Sequence, residues 1–169
     1  MLTLAELNAA PDDELTSTLL ACCDVPGWAR EVREGRPYAD LDSLLAVADH
    51  AARGFGPGDV ERALAAHPRI GERAQGDGAE AAWSRREQSG VDRHEATRTA
   101  LVEGNRAYEE RFGRVFLICA SGLSAEEILT SLRGRLDNDA EAEAEVTAEE
   151  LRKIALLRLR GVVEAGARA

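Results

Sequence analysis

Apolar residues recur at three- and four-residue spacings along most of the chain, the period of helices that bury one stripe. Thr3 followed by Glu6 spells a capping box ahead of a short first helix, and Asp12 or Asp13 opens a second that runs through LTSTLLACC. Pro26 and Gly27 read as an interruption. A third helix covers LDSLLAVADHAARGF, with Leu41, Leu44, Leu45 and Ala48 on one face and Gly54 as its stop. The next begins near Gly58 and Asp59, reads VERALAA, and ends at His67, because Pro68 disfavours helical geometry in the residue before it. RIGERAQGDG, with its glycines, reads as a loop before helical character resumes in AEAAWSRREQSG. A long helix is expected from about Asp92 to Arg111, after which Gly113 breaks the pattern. The apolar run RVFLICASG fits either a strand or a buried helix. Ser124 with Glu127 forms a second capping box, opening AEEILTSLRGRLDN, and EAEAEVTAEELRKIALLRLRGVVEAG closes the chain as a long amphipathic helix. Tyr108, Phe112 and Phe116, four positions apart, are expected to fill the core where the long helix meets the next element. The pattern predicts an all-α fold, a single-domain helical bundle of about eight helices over residues 1–169.

Composition narrows the function classes. With 31 acidic against 21 basic residues the formal charge is -10, so whole-surface attraction to nucleic acid or anionic lipid is not expected. No stretch approaches the roughly 20 apolar residues of a membrane span. MLTLAELNAAPDDELT lacks a basic region followed by an apolar run, and the final GARA is not an SKL-type address. A cytoplasmic protein with no membrane partner is expected. Cys22 and Cys23 are adjacent and Cys119 lies in an apolar run where burial is expected, so the cysteines do not form a disulfide framework. Histidines at 50, 67 and 94 are widely separated, and no CxxC or HExxH spacing suggests a metal. His50 and His94 are read as ordinary surface or core residues.

Two polar segments stand out, HPRIGE from His67 and WSRREQSG from Trp83. At a helix C-terminus unpaired carbonyls favour a cationic imidazole, which suits His67 to hold or donate a proton near neutral pH. The plainer reading is a turn residue before proline. A helical WSRREQSG sets Ser84, Glu87 and Gln88 on one side, gathering a hydroxyl, a carboxylate and an amide suited to a small polar heterocycle. The alternative is a solvated helix in which Arg85 and Arg86 pair with Glu80 or Glu87. Spacing alone leaves both open.

The strings HPRIG, WSRREQSGV, NRAYEERFGRVFLICASG, ILTSLRGRLDND and ELRKIALLRLR, in this order, resemble the OHCU decarboxylases of purine catabolism. The resemblance runs through nearly the whole chain. It implies an all-helical, commonly dimeric enzyme that converts 2-oxo-4-hydroxy-4-carboxy-5-ureidoimidazoline to S-allantoin and carbon dioxide without metal or organic cofactor. It implies that His67 is the catalytic histidine and Glu87 the carboxylate working with it, with Pro68, Ser84 and Gln88 contacting substrate. It also implies that Leu117, Ile118, Cys119, Ala120 and Ser121 line the same pocket through their backbone, a role compatible with apolar side chains in the core. Arg85 and Arg86 are adjacent cations, one of which is a candidate for the substrate carboxylate.

Composition also fits a helical protein-interaction or regulatory module, and the same scaffold could serve a related lyase acting on another ureide. The enzyme reading requires the named residues to share one site, whereas a module needs an exposed apolar face. The stripe Leu151, Ile154, Ala155, Arg158 and Leu159 on the last helix reads most simply as core, with a homodimer surface as the other use.

Overall fold

The computed structural model describes residues 2–71, 79–88 and 95–164. The described residues form nine α-helices and no strand: α1 Leu4–Ala9, α2 Asp12–Cys22, α3 Pro26–Glu34, α4 Leu41–Ala52, α5 Pro57–Leu64, α6 Ala79–Glu87, α7 Glu95–Phe112, α8 Ala125–Arg135 and α9 Ala140–Glu164. The all-α expectation holds. The helix the pattern missed is α3, since Pro26 and Gly27 open a helix instead of breaking one. Proline at the first helical position gives up only an amide that had no intrahelical partner, and its fixed φ already suits the helix. The expected start of α7 near Asp92, His94, most of the glycine-rich loop and the closing GARA lie outside the described residues.

The chain divides into two compact units, residues 1–63 with 151–169, and residues 64–150. In the first, α3 packs on both α2 and α4. Leu7, Leu15, Leu19, Trp28, Val32, Leu44 and Ala48 are buried, joined by Leu151, Ile154, Ala155 and Leu159 of α9. The leucine stripe of the last helix is therefore core. Thr3 and Glu6 close the capping box that the spacing predicts, and the Leu2 amide reaches the Val162 carbonyl at 3.0 Å. Asp40 caps α4 in a similar box with Ser43.

In the second unit α7 packs on α8. The approach is close enough that a Cβ at Gly104 would lie 2.6 Å from a Leu132 methyl. Ser124 and Glu127 form the expected box at the start of α8, satisfying two amides that the first helical turn leaves over. Ile70, Leu101, Tyr108, Phe116, Ile118, Ala120, Ala125, Ile128 and Leu132 make one apolar core, with Phe112 partly buried against it. Tyr108 meets the Phe112 ring at 4.7 Å and the Phe116 ring at 5.2 Å, the packing expected for the aromatic series.

The run after α7 is neither of the alternatives its apolarity suggested. Residues 115–120 are irregular, and Phe116, Ile118 and Ala120 enter the same core at every second position, the alternation of an extended chain. No sheet partner exists for it among the described residues. Its peptide groups must therefore find partners outside a ladder, as the Ala120 carbonyl does in the Leu123 amide at 3.0 Å.

Candidate active site

All of the sequence-predicted site residues lie in the second unit. α5 ends at Leu64, earlier than expected, and the His67 amide donates to the Leu64 carbonyl at 3.0 Å, one tight turn beyond the helix. His67 thus sits in a turn that follows the helix, not on its last helical residue. The side chain is half-buried, with Nε2 shielded from solvent, and Pro68 beside it is also half-buried.

That turn is held from two helices. Asn105 Nδ2 on α7 donates to the Ile70 carbonyl at 2.9 Å, and Arg69 pairs with Glu109 at 2.5 Å and 3.2 Å. From the other side, the Gly71 amide donates to Gln88 Oε1 at 3.1 Å. Gly71 has φ +90, a left-handed conformation that glycine adopts without the cost of a Cβ. HPRIG is consequently fastened to the end of α6.

On α6, Ser84 is buried at 3% exposure, while Arg85, Glu87 and Gln88 are half-buried and Arg86 is exposed. The helix continues to Glu87, and the Gln88 amide still bonds to the Ser84 carbonyl at 3.2 Å, so Ser84, Glu87 and Gln88 keep the helical register that puts them on one side. In the 117–121 run, Leu117, Ile118 and Ala120 are buried and Ser121 is exposed. Cys119, expected to be buried, is half-buried. Ile70 and Ile118 share one core, so the turn after His67 and the 117–121 run both contribute to it.

A polar node within this unit was not legible as such. Arg135, at the end of α8, is 7% exposed, and its Nε and Nη2 donate to Glu143 Oε1 at 2.8 Å and 2.5 Å. Its Nη1 donates to the Leu117 carbonyl at 2.6 Å, while its guanidinium lies 4.5 Å from the Phe116 ring centroid. Glu143 is fully buried and also receives the Tyr108 hydroxyl at 2.5 Å and Asn138 Nδ2 at 3.0 Å. Burial alone would push the Glu143 carboxyl up, but hydrogen bonds from Arg135, Tyr108 and Asn138, with the Arg135 charge, hold it below its ordinary range. The Tyr108 phenol is raised by burial and by its bond to that carboxylate. Further along α9, Glu150 Oε2 accepts the Cys119 amide at 2.9 Å. Tyr108, Arg135 and Asn138 sit inside the strings NRAYEERFGRVFLICASG and ILTSLRGRLDND. Both strings are rich in charged residues, so the sequence holds no signal that singles these three out.

Ile70 of the HPRIG turn and Ile118 of the apolar run thus enter one core, and Gly71 ties that turn to Gln88 at the end of α6. The chain belongs to the OHCU decarboxylase family, whose sequence profile matches residues 8–160. It is 34% identical over 144 residues to the 2-oxo-4-hydroxy-4-carboxy-5-ureidoimidazoline decarboxylase of Amia calva, covering 82% of this chain and 81% of that one. A protein of the same name from Haloferax volcanii is 27% identical over 160 residues, covering 94% of each chain. The fold is similar to a crystal structure of OHCU decarboxylase in the presence of (S)-allantoin, with a TM-score of 0.74 and 25% identity over 92% of this chain and 99% of that one.

Proposed function

We propose that this chain is a carboxy-lyase that decarboxylates 2-oxo-4-hydroxy-4-carboxy-5-ureidoimidazoline to S-allantoin and carbon dioxide in urate breakdown. Membership of the family and the name of the Amia calva relative support the reaction. The observation that carries the site is the Gly71-to-Gln88 hydrogen bond, which fastens the segment of His67 to the helix end bearing Glu87.

The substrate holds its own electron sink. As the bond to the carboxylate breaks, its electron pair moves into the neighbouring ring C=N, whose nitrogen takes a proton. The enol so formed takes a proton on the carbon bearing the ureido group while its hydroxyl proton departs, giving the ring carbonyl. The balance is one substrate carboxylate plus one proton to allantoin plus carbon dioxide. The protein has to orient the ring, strip water from the carboxylate and deliver the carbon-bound proton to one face.

In this reading His67 binds the hydroxyl or carboxylate region and handles the proton. Glu87 orients the ring or ureido N–H groups and disfavours the ground-state carboxylate. Pro68, Ser84 and Gln88 contact substrate, Arg85 and Arg86 supply positive charge toward the carboxylate, and the backbone of Leu117, Ile118, Cys119, Ala120 and Ser121 forms one wall. Residues 1–169 act as a single functional domain in the cytoplasm, as a homodimer. No helix among the described residues is long and apolar enough to cross a membrane.

The test is stereochemical. With urate oxidation products supplied and allantoin followed by circular dichroism, His67→Ala and Glu87→Gln should each abolish the excess of the S enantiomer over the spontaneously formed racemate while the far-ultraviolet helical signal stays intact. Wild-type enantiomeric excess in both variants refutes the assignment.

A further inference from the structure

The 117–121 run is gripped at two peptide groups. Arg135 Nη1 donates to the Leu117 carbonyl at 2.6 Å, and Glu150 Oε2 accepts the Cys119 amide at 2.9 Å. In extended backbone the N–H and C=O of residues 117 and 119 emerge along one edge, and those of 118 and 120 along the other. Both grips are therefore on the same edge. The inward packing of Phe116, Ile118 and Ala120 fixes the side-chain faces, and the Arg135 end is itself immobilised by Glu143, which Tyr108 and Asn138 hold. A buried segment without a ladder would otherwise slide or twist, carrying its peptide groups with it.

We propose that Arg135 and Glu150 are positioning residues that set the depth and rotation of the Leu117–Ser121 backbone, so that its opposite edge presents peptide groups to the substrate at a fixed distance. This rests on the functional reading above, in which that backbone is a wall of the site. Neither residue needs to touch substrate. Arg135 acts through a carbonyl and Glu150 through an amide, and a shift of an ångström in a positioning group costs on the order of a hundredfold in rate.

Glu150 is the residue to test, because it is half-buried, whereas removing Arg135 would leave the Glu143 charge uncompensated in the core. Glu150→Ala should speed amide hydrogen exchange of the 117–121 peptide by roughly tenfold, the loss of one hydrogen bond. It should also lower kcat/KM by about tenfold or more, with reduced enantiomeric excess. Glu150→Gln, which keeps an acceptor oxygen, should restore most of both losses. Unchanged exchange in Glu150→Ala overturns the grip. Faster exchange with wild-type turnover and stereochemistry overturns the positioning role, as does equal loss in the Ala and Gln variants. A wild-type protein without turnover overturns the functional reading itself, and the positioning role with it, a result separable from the others by the wild-type control alone.

Discussion

The two compact units use polar side chains for different jobs. In the first unit they finish the ends of regular helices, the Tyr38 hydroxyl donating to the Val32 carbonyl at 2.6 Å and Arg36 Nη1 to the Ala10 carbonyl at 2.7 Å, while Trp28 Nε1 donates to the Ala48 carbonyl of α4 at 3.0 Å. Asn8 exchanges two hydrogen bonds with the Tyr38 backbone, at 2.8 Å and 2.9 Å, as one strand would with another. In the second unit a guanidinium, paired with a buried carboxylate, is taken into the core and reaches the Leu117 carbonyl in the middle of an irregular run. Helices satisfy their own interior and leave only their ends. An extended segment buried without a ladder leaves unmet groups along its length, and supplying them costs the desolvation of charges. The second unit accepts that cost at the run proposed as a wall of the site.

This contrast can be broken most forcefully at Glu143. Glu143→Ala strips the partner from a buried guanidinium and from the Tyr108 hydroxyl, and urea denaturation should show a loss of about 3–5 kcal/mol. A loss below about 1 kcal/mol would remove the charged node from the list of things that hold this unit. In the first unit the sharper probe is steric. A Cβ at Gly35 would fall 2.2 Å from the Tyr38 hydroxyl oxygen, so Gly35→Ala should cost about 1–3 kcal/mol by displacing that hydroxyl from the Val32 carbonyl. In a Tyr38→Phe background the same change should cost measurably less, because the clashing atom is gone. Additive costs would contradict the contact.

Acid should probe the Glu143 node more gently. The Glu143 carboxyl is held below its ordinary value of 4.5, so unfolding releases it to bind a proton more readily. The stability it contributes is complete above pH 4.5 and drains away as the pH falls toward and through its depressed value. Glu143→Gln should therefore unfold with a shallower dependence on pH below 4.5 than the wild type, measured by denaturant midpoints at each pH. A slope as steep as the wild type's would assign the effect to other carboxylates.

Local rules were legible wherever the relevant partners are close in sequence. Thr3 with Glu6 and Ser124 with Glu127 are three residues apart, and both boxes form. Pro26 was misread because the same residue that ends a helix from within also starts one at its first position. The 115–120 run hid its alternation because Leu117, between two core residues, is buried as well, leaving an unbroken apolar stretch in the sequence. His67 drew notice through Pro68, but the helix ends at Leu64, since the turn tightens before the proline is reached. The roles proposed for His67 and Glu87 rest on the family resemblance, and in the structure Gly71 and Gln88, 17 residues apart, bridge the two segments. Arg135 and Glu143 belong to two helices and look like solvated charges in a chain with many. Nothing in a linear string says that this one pair is inside.

The central claim, that the segments around His67, Glu87 and Leu117 form one binding site, is tested most directly by titrating the isotopically labelled protein with (S)-allantoin and following backbone amide resonances. Residues 67, 69–71, 84–88 and 117–121 should shift together and saturate with a single dissociation constant. Shifts confined to residues elsewhere in the chain, or groups that saturate at separate concentrations, would contradict it.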